Sequence, residues 1–276
     1  MKPAIQPYMR ALLTGLAAAV LSVPASAQDA ASLIDRAMTG GHRAEANKAR
    51  DKYRHPKETL LFFGLDPAMT VVEITPGRGW YTEILAPVLK EKGGYYAAVG
   101  AITEKSPDFA KQNDSYYRGM LAAAPDLFGK TQFSVMTPPD IQVAPAGSAD
   151  LVLTFRNVHN WAKAGTADAM FKAFFTALKP GGALGVVEHR AKPGTPFQQQ
   201  IDSGYMTEAY VIEAAQKAGF RVDNKSEINA NPRDTKDYPG GVWTLPPNLR
   251  NVAEADKPKF LAIGESDRMT LKFVKP

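Results

Sequence analysis

Val71-Val72-Glu73-Ile74-Thr75-Pro76-Gly77-Arg78-Gly79-Trp80 is the stretch on which the reading of the fold turns. Residues 69–74 are apolar and β-branched, the pattern of a short strand buried on both faces. Pro76, Gly77 and Gly79 break that strand, and residues 80–92 then read as a helix. A strand, a glycine turn and a helix in this order form the crevice in which doubly wound sheets hold nucleosides. Small residues let the backbone approach a ligand there, and Glu73 offers a carboxylate to a hydroxyl or an amine. The turn alone does not name a ligand, because any tight strand-to-helix turn favours glycine.

The same alternation continues outward. Residues 95–99, 132–136, 150–155 and 183–188 read as further strands, and 166–178 as a helix stopped by Lys179-Pro180-Gly181-Gly182. Strands apolar on both faces and separated by helices predict a parallel sheet covered on two sides. Residues 208–218 look helical, and 220–225 and 269–274 look like two more strands. Between them, 229–267 is rich in proline, glycine and asparagine. With Pro239-Gly240-Gly241-Val242-Trp243 at its centre, it is expected to be a lid. Upstream, residues 29–57 are polar and charge-mixed, one or two helices stopped near His55 because Pro56 follows.

The first 27 residues stand apart. Lys2 and Arg10 flank a basic start, an unbroken weakly apolar run follows over 11–23, and Pro24-Ala25-Ser26-Ala27 ends it. This is the pattern of a secretory signal peptide cut after Ala27. A retained anchor is the other reading, but the run is short of the roughly 20 residues that span a bilayer. The expected organisation is a leader at 1–27, a helical cap at 28–66, and an α/β domain at 67–276 with the lid at 229–267. Cleavage leaves 249 residues and takes two lysine or arginine residues but no acid, so the formal charge falls from +5 to +3. That balance, without a block of like charges, argues against nucleic acid as a partner and against stable membrane insertion once the leader is gone. A 45% hydrophobic composition excludes collagen, coiled coil and disorder, and the absence of cysteine excludes a disulfide scaffold and thiolate chemistry. The periplasm is the expected location.

Two further segments follow the glycine turn in order: Ser148-Ala149-Asp150-Leu151-Val152-Leu153 and Leu178-Lys179-Pro180-Gly181-Gly182-Ala183-Leu184. Together the three resemble the class I S-adenosylmethionine-dependent methyltransferase superfamily over residues 67–188, and the chain from Arg50 onward looks like an exported group within it. The resemblance implies a doubly wound, Rossmann-like, seven-stranded and mostly parallel sheet with one antiparallel strand and helices on both faces. It implies S-adenosyl-L-methionine as cofactor, a turn of Glu73, Thr75, Gly77, Gly79 and Trp80 around it with Asn157 alongside, and a small-molecule methyl acceptor. The sequence also departs from the family. Thr75 replaces the first glycine, no acid ends the second strand at Ala98-Val99-Gly100, and Thr137-Pro138-Pro139 replaces the acid after the third. Each lost charge-assisted hydrogen bond is worth about 1.5–3 kcal/mol, roughly ten- to hundred-fold in affinity.

Polar residues cluster where two strands end. Arg156-Asn157-Val158-His159-Asn160-Trp161 follows the fourth strand, and Glu188-His189-Arg190 closes the fifth. Neighbouring strands put His159 and His189 on one crevice. Either is then a general base for a methyl acceptor, with Glu188 in support, or both are hydrogen-bonded structural histidines. Their spacing repeats no known metal-ligand pattern, so no metal is expected. Trp80, Trp161 and Trp243 either line an aromatic cleft or plug loops against the sheet. Arg50 and Arg54 share a helix face that is either solvated or turned toward a ligand carboxylate. The functional reading is methyl transfer to a small acceptor. The rival is a catalytically inactive protein of the same fold, serving in ligand binding or as an accessory. A hydrolase or lyase using His159 and His189 is a third option.

Overall fold

The structure, a computed structural model, describes residues 25–276. Most of the expected leader lies outside the described residues, and that expectation with it. Among the described residues no helix is long and apolar enough to cross a membrane.

Four helices precede the sheet: α1 (Ala25–Thr39), α2 (Glu45–Lys48), α3 (Asp51–Arg54) and α4 (Pro56–Phe63). The break expected near His55 is present, with His55 left-handed at φ +40°, but a new helix starts at once on Pro56. Proline suits that position because the first helical turn needs no backbone donor there. The alternating part follows as β1 (Thr70–Ile74), α5 (Thr82–Leu89), β2 (Gly94–Gly100), α6 (Asp108–Ala123), α7 (Pro125–Phe128), β3 (Gln132–Met136) and β4 (Ala149–Phe155). Next come α8 (Val158–Ala164), α9 (Ala167–Ala177), β5 (Leu178–His189), α10 (Phe197–Ser203), α11 (Glu208–Lys217), β6 (Arg221–Ser226), α12 (Lys257–Ile263) and β7 (Arg268–Val274).

The seven strands form one sheet in the order β3-β2-β1-β4-β5-β7-β6, with β7 antiparallel to both neighbours. This is a doubly wound, Rossmann-like, mostly parallel sheet with helices packed on both faces. Alternation within the strands fills two cores. Val72, Ile74 and Val152 face α9 and α11, packing on Phe171, Phe174 and Val211. Val71, Leu151 and Leu153 face the other way, onto Ile34, Leu60, Ile84 and Leu85. The direction of winding reverses between β1 and β4, where Ile74 pairs with both Ala98 and Thr154. Ligand crevices open beyond the carboxyl ends of strands at such a switch point.

Candidate functional site

A cavity of about 670 Å³ occupies that position. Of the residues singled out from the sequence, Thr75, Gly77, Trp80, Asn157, His159 and His189 line it, while Glu73, Gly79 and Glu188 do not. Two of the strand ends carry strained backbone: Thr75 after β1 has φ +51° and Arg156 after β4 has φ +62°. Thr75 therefore holds the left-handed conformation that glycine adopts freely, at a cost of about 1–2 kcal/mol for an L residue. Asn157 fixes the spacing of the two ends, its side-chain amide donating to the Ile74 carbonyl at 3.1 Å and to the Thr154 hydroxyl at 3.2 Å. A smaller cavity of about 220 Å³ adjoins on the β2 side and shares Thr75, Pro76 and Gly77 with the first. Its walls are Val99, Ile102 and Phe109, with Asn113 and Asp114 of α6 at the edge.

Glu73 points into the protein. It lies on the α5 face of the sheet, 2% exposed, where the Tyr95 phenol donates to it at 2.6 Å and the Thr82 hydroxyl at 2.9 Å. Burial pushes its carboxyl up from 4.5 to about 7, against those two hydrogen bonds. Between those values the folded chain keeps a proton that the unfolded chain has lost, so stability falls as pH rises through this window. The loss above pH 7 reaches about 3 kcal/mol. Glu73→Gln is therefore expected to be more stable than the parent at pH 8 and equal to it near pH 4, as read from denaturant midpoints. A Glu73 that instead contacts ligand would show itself as lost ligand affinity in the same variant.

The two histidines meet as the strand order required, with ring centres 5.5 Å apart. Glu188, fully buried at the end of β5, organises them. Its oxygens accept from the His189 backbone at 2.8 Å, from the His159 backbone at 3.3 Å, and from His159 Nδ1 at 3.1 Å. An acceptor at Nδ1 makes that nitrogen the protonated one and leaves Nε2 as the basic edge of His159. His189 Nδ1 pairs with the Ser266 hydroxyl at 2.6 Å. Burial, followed by the proximity of His159, Arg268, Arg156 and Arg54, holds His189 well below the usual imidazole range, so it is neutral. His159, Glu188 and His189 are close enough to share a metal ion. The carboxylate, however, is already spent on three donors, and the surrounding guanidiniums oppose a cation.

The amino-terminal helices bring in arginines. Arg43 pairs with Asp51 through two bonds of 2.7 and 2.9 Å and reaches Glu83 of α5 at 3.4 Å. Trp80 Nε1 donates to the Asn47 carbonyl at 3.1 Å. Locked in this way, α3 lays Arg54 over the Trp80 ring at 4.5 Å and turns Arg50 into the large cavity. The sequence left Arg50 and Arg54 open, and the structure turns both toward the crevice. Of the tryptophans, Trp80 and Trp243 line the cavity. Trp161 does not: it sits inside α8 with its ring edge-on to Phe171 and Phe174, a core residue, which corrects the three-tryptophan cleft. Trp243 arrives on the long segment 229–267, in a 3-10 turn at Gly241–Thr244, and meets the His159 ring edge-on at 6.1 Å. The sequence reading missed Arg268 and Ser266, which the antiparallel pairing of His189 with Arg268 carries into the site.

No family model matches the chain, and no curated protein matches it. Solved structures do resemble it in fold. A SAM-dependent methyltransferase from Aquifex aeolicus superposes with a TM-score of 0.51 at 19% identity, over 72% of this chain and 93% of its own. The cyclase SpnF superposes with a TM-score of 0.58 at 15% identity, over 92% of this chain and 97% of its own. At these identities the likeness is one of fold.

Proposed function

We propose that the chain is an S-adenosylmethionine-dependent methyltransferase that acts on a small acceptor in the periplasm, where its leader would direct it. The observation that carries this reading is the oriented His159–Glu188 pair, set in the same cavity as the strained turn at Thr75–Gly77. The fold alone does not name the reaction, since a similar structure is a cyclase. The cofactor would extend across the two adjoining cavities, which share Thr75, Pro76 and Gly77. The apolar walls at Val99, Ile102 and Phe109 would take the adenine, and Asn113 and Asp114 supply the polar edge that Gly100 lacks. The methionyl end would run past Gly77 and Asn157, with its carboxylate toward Arg54.

When bound, the cofactor supplies a sulfonium methyl that is already electrophilic and leaves as a neutral thioether. What remains for the protein is position and one proton. The acceptor O–H or N–H gives its proton to His159 Nε2, and Glu188 holds the imidazolium that results. Trp243 and Trp80 line the cavity beside it. The absence of an acid at the end of β2, and of another after β3 at Thr137-Pro138-Pro139, favours the rival reading, a binding protein of the same fold.

Calorimetry with S-adenosylmethionine and S-adenosylhomocysteine separates the two. Micromolar binding is expected, weakened about ten-fold or more in Gly77→Val, because the added side chain would stand in the open space where both cavities meet. A Cβ at Gly77 meets nothing within 4 Å, so the variant is expected to fold. No heat with a folded protein at millimolar ligand removes the methyl-transfer reading.

A further inference from the structure

The large cavity is lined by Arg50, Arg54, Arg78, Arg156 and Arg268 together with His159 and His189, and by no acidic side chain among the described residues. One carboxylate lies behind this wall. Glu265, 3% exposed, takes Arg50 at 2.5 Å, Arg54 at 3.2 Å and Arg268. Burial alone would raise it, but the three guanidiniums draw it well below the usual carboxylate range. Its oxygens are taken by those three arginines, and its charge acts on Arg156 only through space, without a bond. The Arg156 guanidinium has no hydrogen bond or ion pair with any described residue and faces the cavity from the end of β4. Arg268, 3% exposed, donates Nη1 to the Tyr53 carbonyl at 3.1 Å and Nη2 to Glu265, yet its buried Nε has no partner. Buried guanidinium donors are kept without partners at a cost that a ligand can repay.

We propose that Arg156 and Arg268 form an oxyanion subsite in this cavity, and that the methyl acceptor is therefore an anion carrying a carboxylate or a phosphate group. The second half rests on the methyl-transfer reading; the first does not. The two arginines stand at ends of the strands that flank β5, one on each side. Arg156 follows β4 with its backbone N–H on the Val187 carbonyl of β5 at 2.7 Å, and Arg268 opens β7 opposite His189 of β5. A guanidinium presents a planar fork of donors that matches the two oxygens of a carboxylate or phosphate. The surrounding charge favours the same ligand. Burial first, and then Arg268, push Arg156 down to about 10, and Glu265 offsets that only in part. An anion seated here lies in the cavity that His159 also lines.

The test titrates the full-length protein with inorganic phosphate and separately with acetate, by calorimetry and by thermal unfolding, in the absence of S-adenosylmethionine. Saturable millimolar or tighter binding is expected, weakened about ten-fold or more in Arg156→Gln and less in Arg156→Lys, which keeps the charge but loses the fork. Arg221→Gln, an exposed arginine of β6 outside the cavity, is expected to leave binding unchanged. Arg156 makes no side-chain bond in the fold, so Arg156→Gln is expected to unfold at or above the parent temperature. Tighter phosphate than acetate points to a phosphorylated acceptor, and the reverse to a carboxylic acid. No saturable binding of either anion up to about 20 mM, or binding that Arg156→Gln leaves intact, overturns the subsite. S-adenosylmethionine binding without anion binding overturns this inference alone; anion binding without S-adenosylmethionine binding overturns methyl transfer and leaves the subsite standing.

Discussion

Replacing His159 with alanine is expected to lower methyl-transfer turnover by about 10²–10⁴-fold while S-adenosylmethionine affinity stays within a few-fold of the parent. The separation follows from the arrangement of the site. The glycine turn follows β1 and is braced by Asn157, whose side chain bonds the Ile74 carbonyl and the Thr154 hydroxyl rather than the imidazole. Removing the imidazole takes away the proton acceptor and leaves that brace in place. Glu188 gives a second handle. Glu188→Gln offers an amide where two backbone N–H groups and His159 Nδ1 now converge on carboxylate oxygens. With its nitrogen at the Oε2 position the amide faces the His159 backbone N–H; at the Oε1 position it faces the His189 backbone N–H and drives the His159 imidazole to the other tautomer. Both outcomes cut turnover, and both lower stability because the site is fully buried. Transfer of labelled methyl groups to carboxylate- and phosphate-bearing acceptors reads the rate, and calorimetry reads the affinity. Parallel loss of affinity and turnover in His159→Ala would mark His159 as structural.

Residues that act inside one strand–helix unit were legible in the sequence, whereas those joined by register or by the return of the chain were not. Strands β1 and β4 announce themselves because both faces are buried, so Val71-Val72 and Leu151-Val152-Leu153 cannot be anything polar. The seven-stranded sheet with its antiparallel strand was implied by the resemblance, and the strand order bears it out. Helix α6 was invisible: of Asp108–Ala123 only Tyr117 and Leu121 are buried, and the rest reads as a polar loop. Helix α5 is shorter than residues 80–92, running from Thr82 to Leu89, because Trp80 and Tyr81 belong to the turn that reaches the site. Strand β5 runs back to Leu178, through the Lys179-Pro180-Gly181-Gly182 stop, because Ala149 pairs with Leu178 there. His159 and His189 could be placed together from adjacent strands alone. Glu73 could not be oriented, since facing α5 rather than the crevice is decided by which neighbour buries it, here Tyr95 one strand away. Arg268 needed the antiparallel register against His189, a pairing of residues 79 positions apart that no local pattern carries.

Gly241→Val is expected to destabilise the chain by about 3–5 kcal/mol, mostly by releasing the segment that carries Trp243. Gly241 has φ +60°, and a Cβ there would lie 2.3 Å from the Ser203 carbonyl oxygen and 2.6 Å from its Cα. Those are backbone atoms at the end of α10, so no side chain can swing aside to make room. The contact is also the seam along which the segment joins the body. Val242 packs with Ala191 and Tyr205 in a small core of its own, apart from the two that sandwich the sheet. A wedge at Gly241 therefore opens that small core first, while the main cores hold. Asp234 keeps the base of the segment in place through the Tyr205 phenol at 3.0 Å and the Asp267 backbone at 2.8 Å, so the release is local to the turn. The expected readings are a red-shifted tryptophan emission, new protease cleavage between residues 238 and 250, and unchanged far-ultraviolet circular dichroism. Anion and cofactor affinity should fall together, because Trp243, Pro246 and Asn248 wall the cavity in which both would sit. Full affinity in a variant whose turn is cleaved would show that the segment is packing and not a wall of the site.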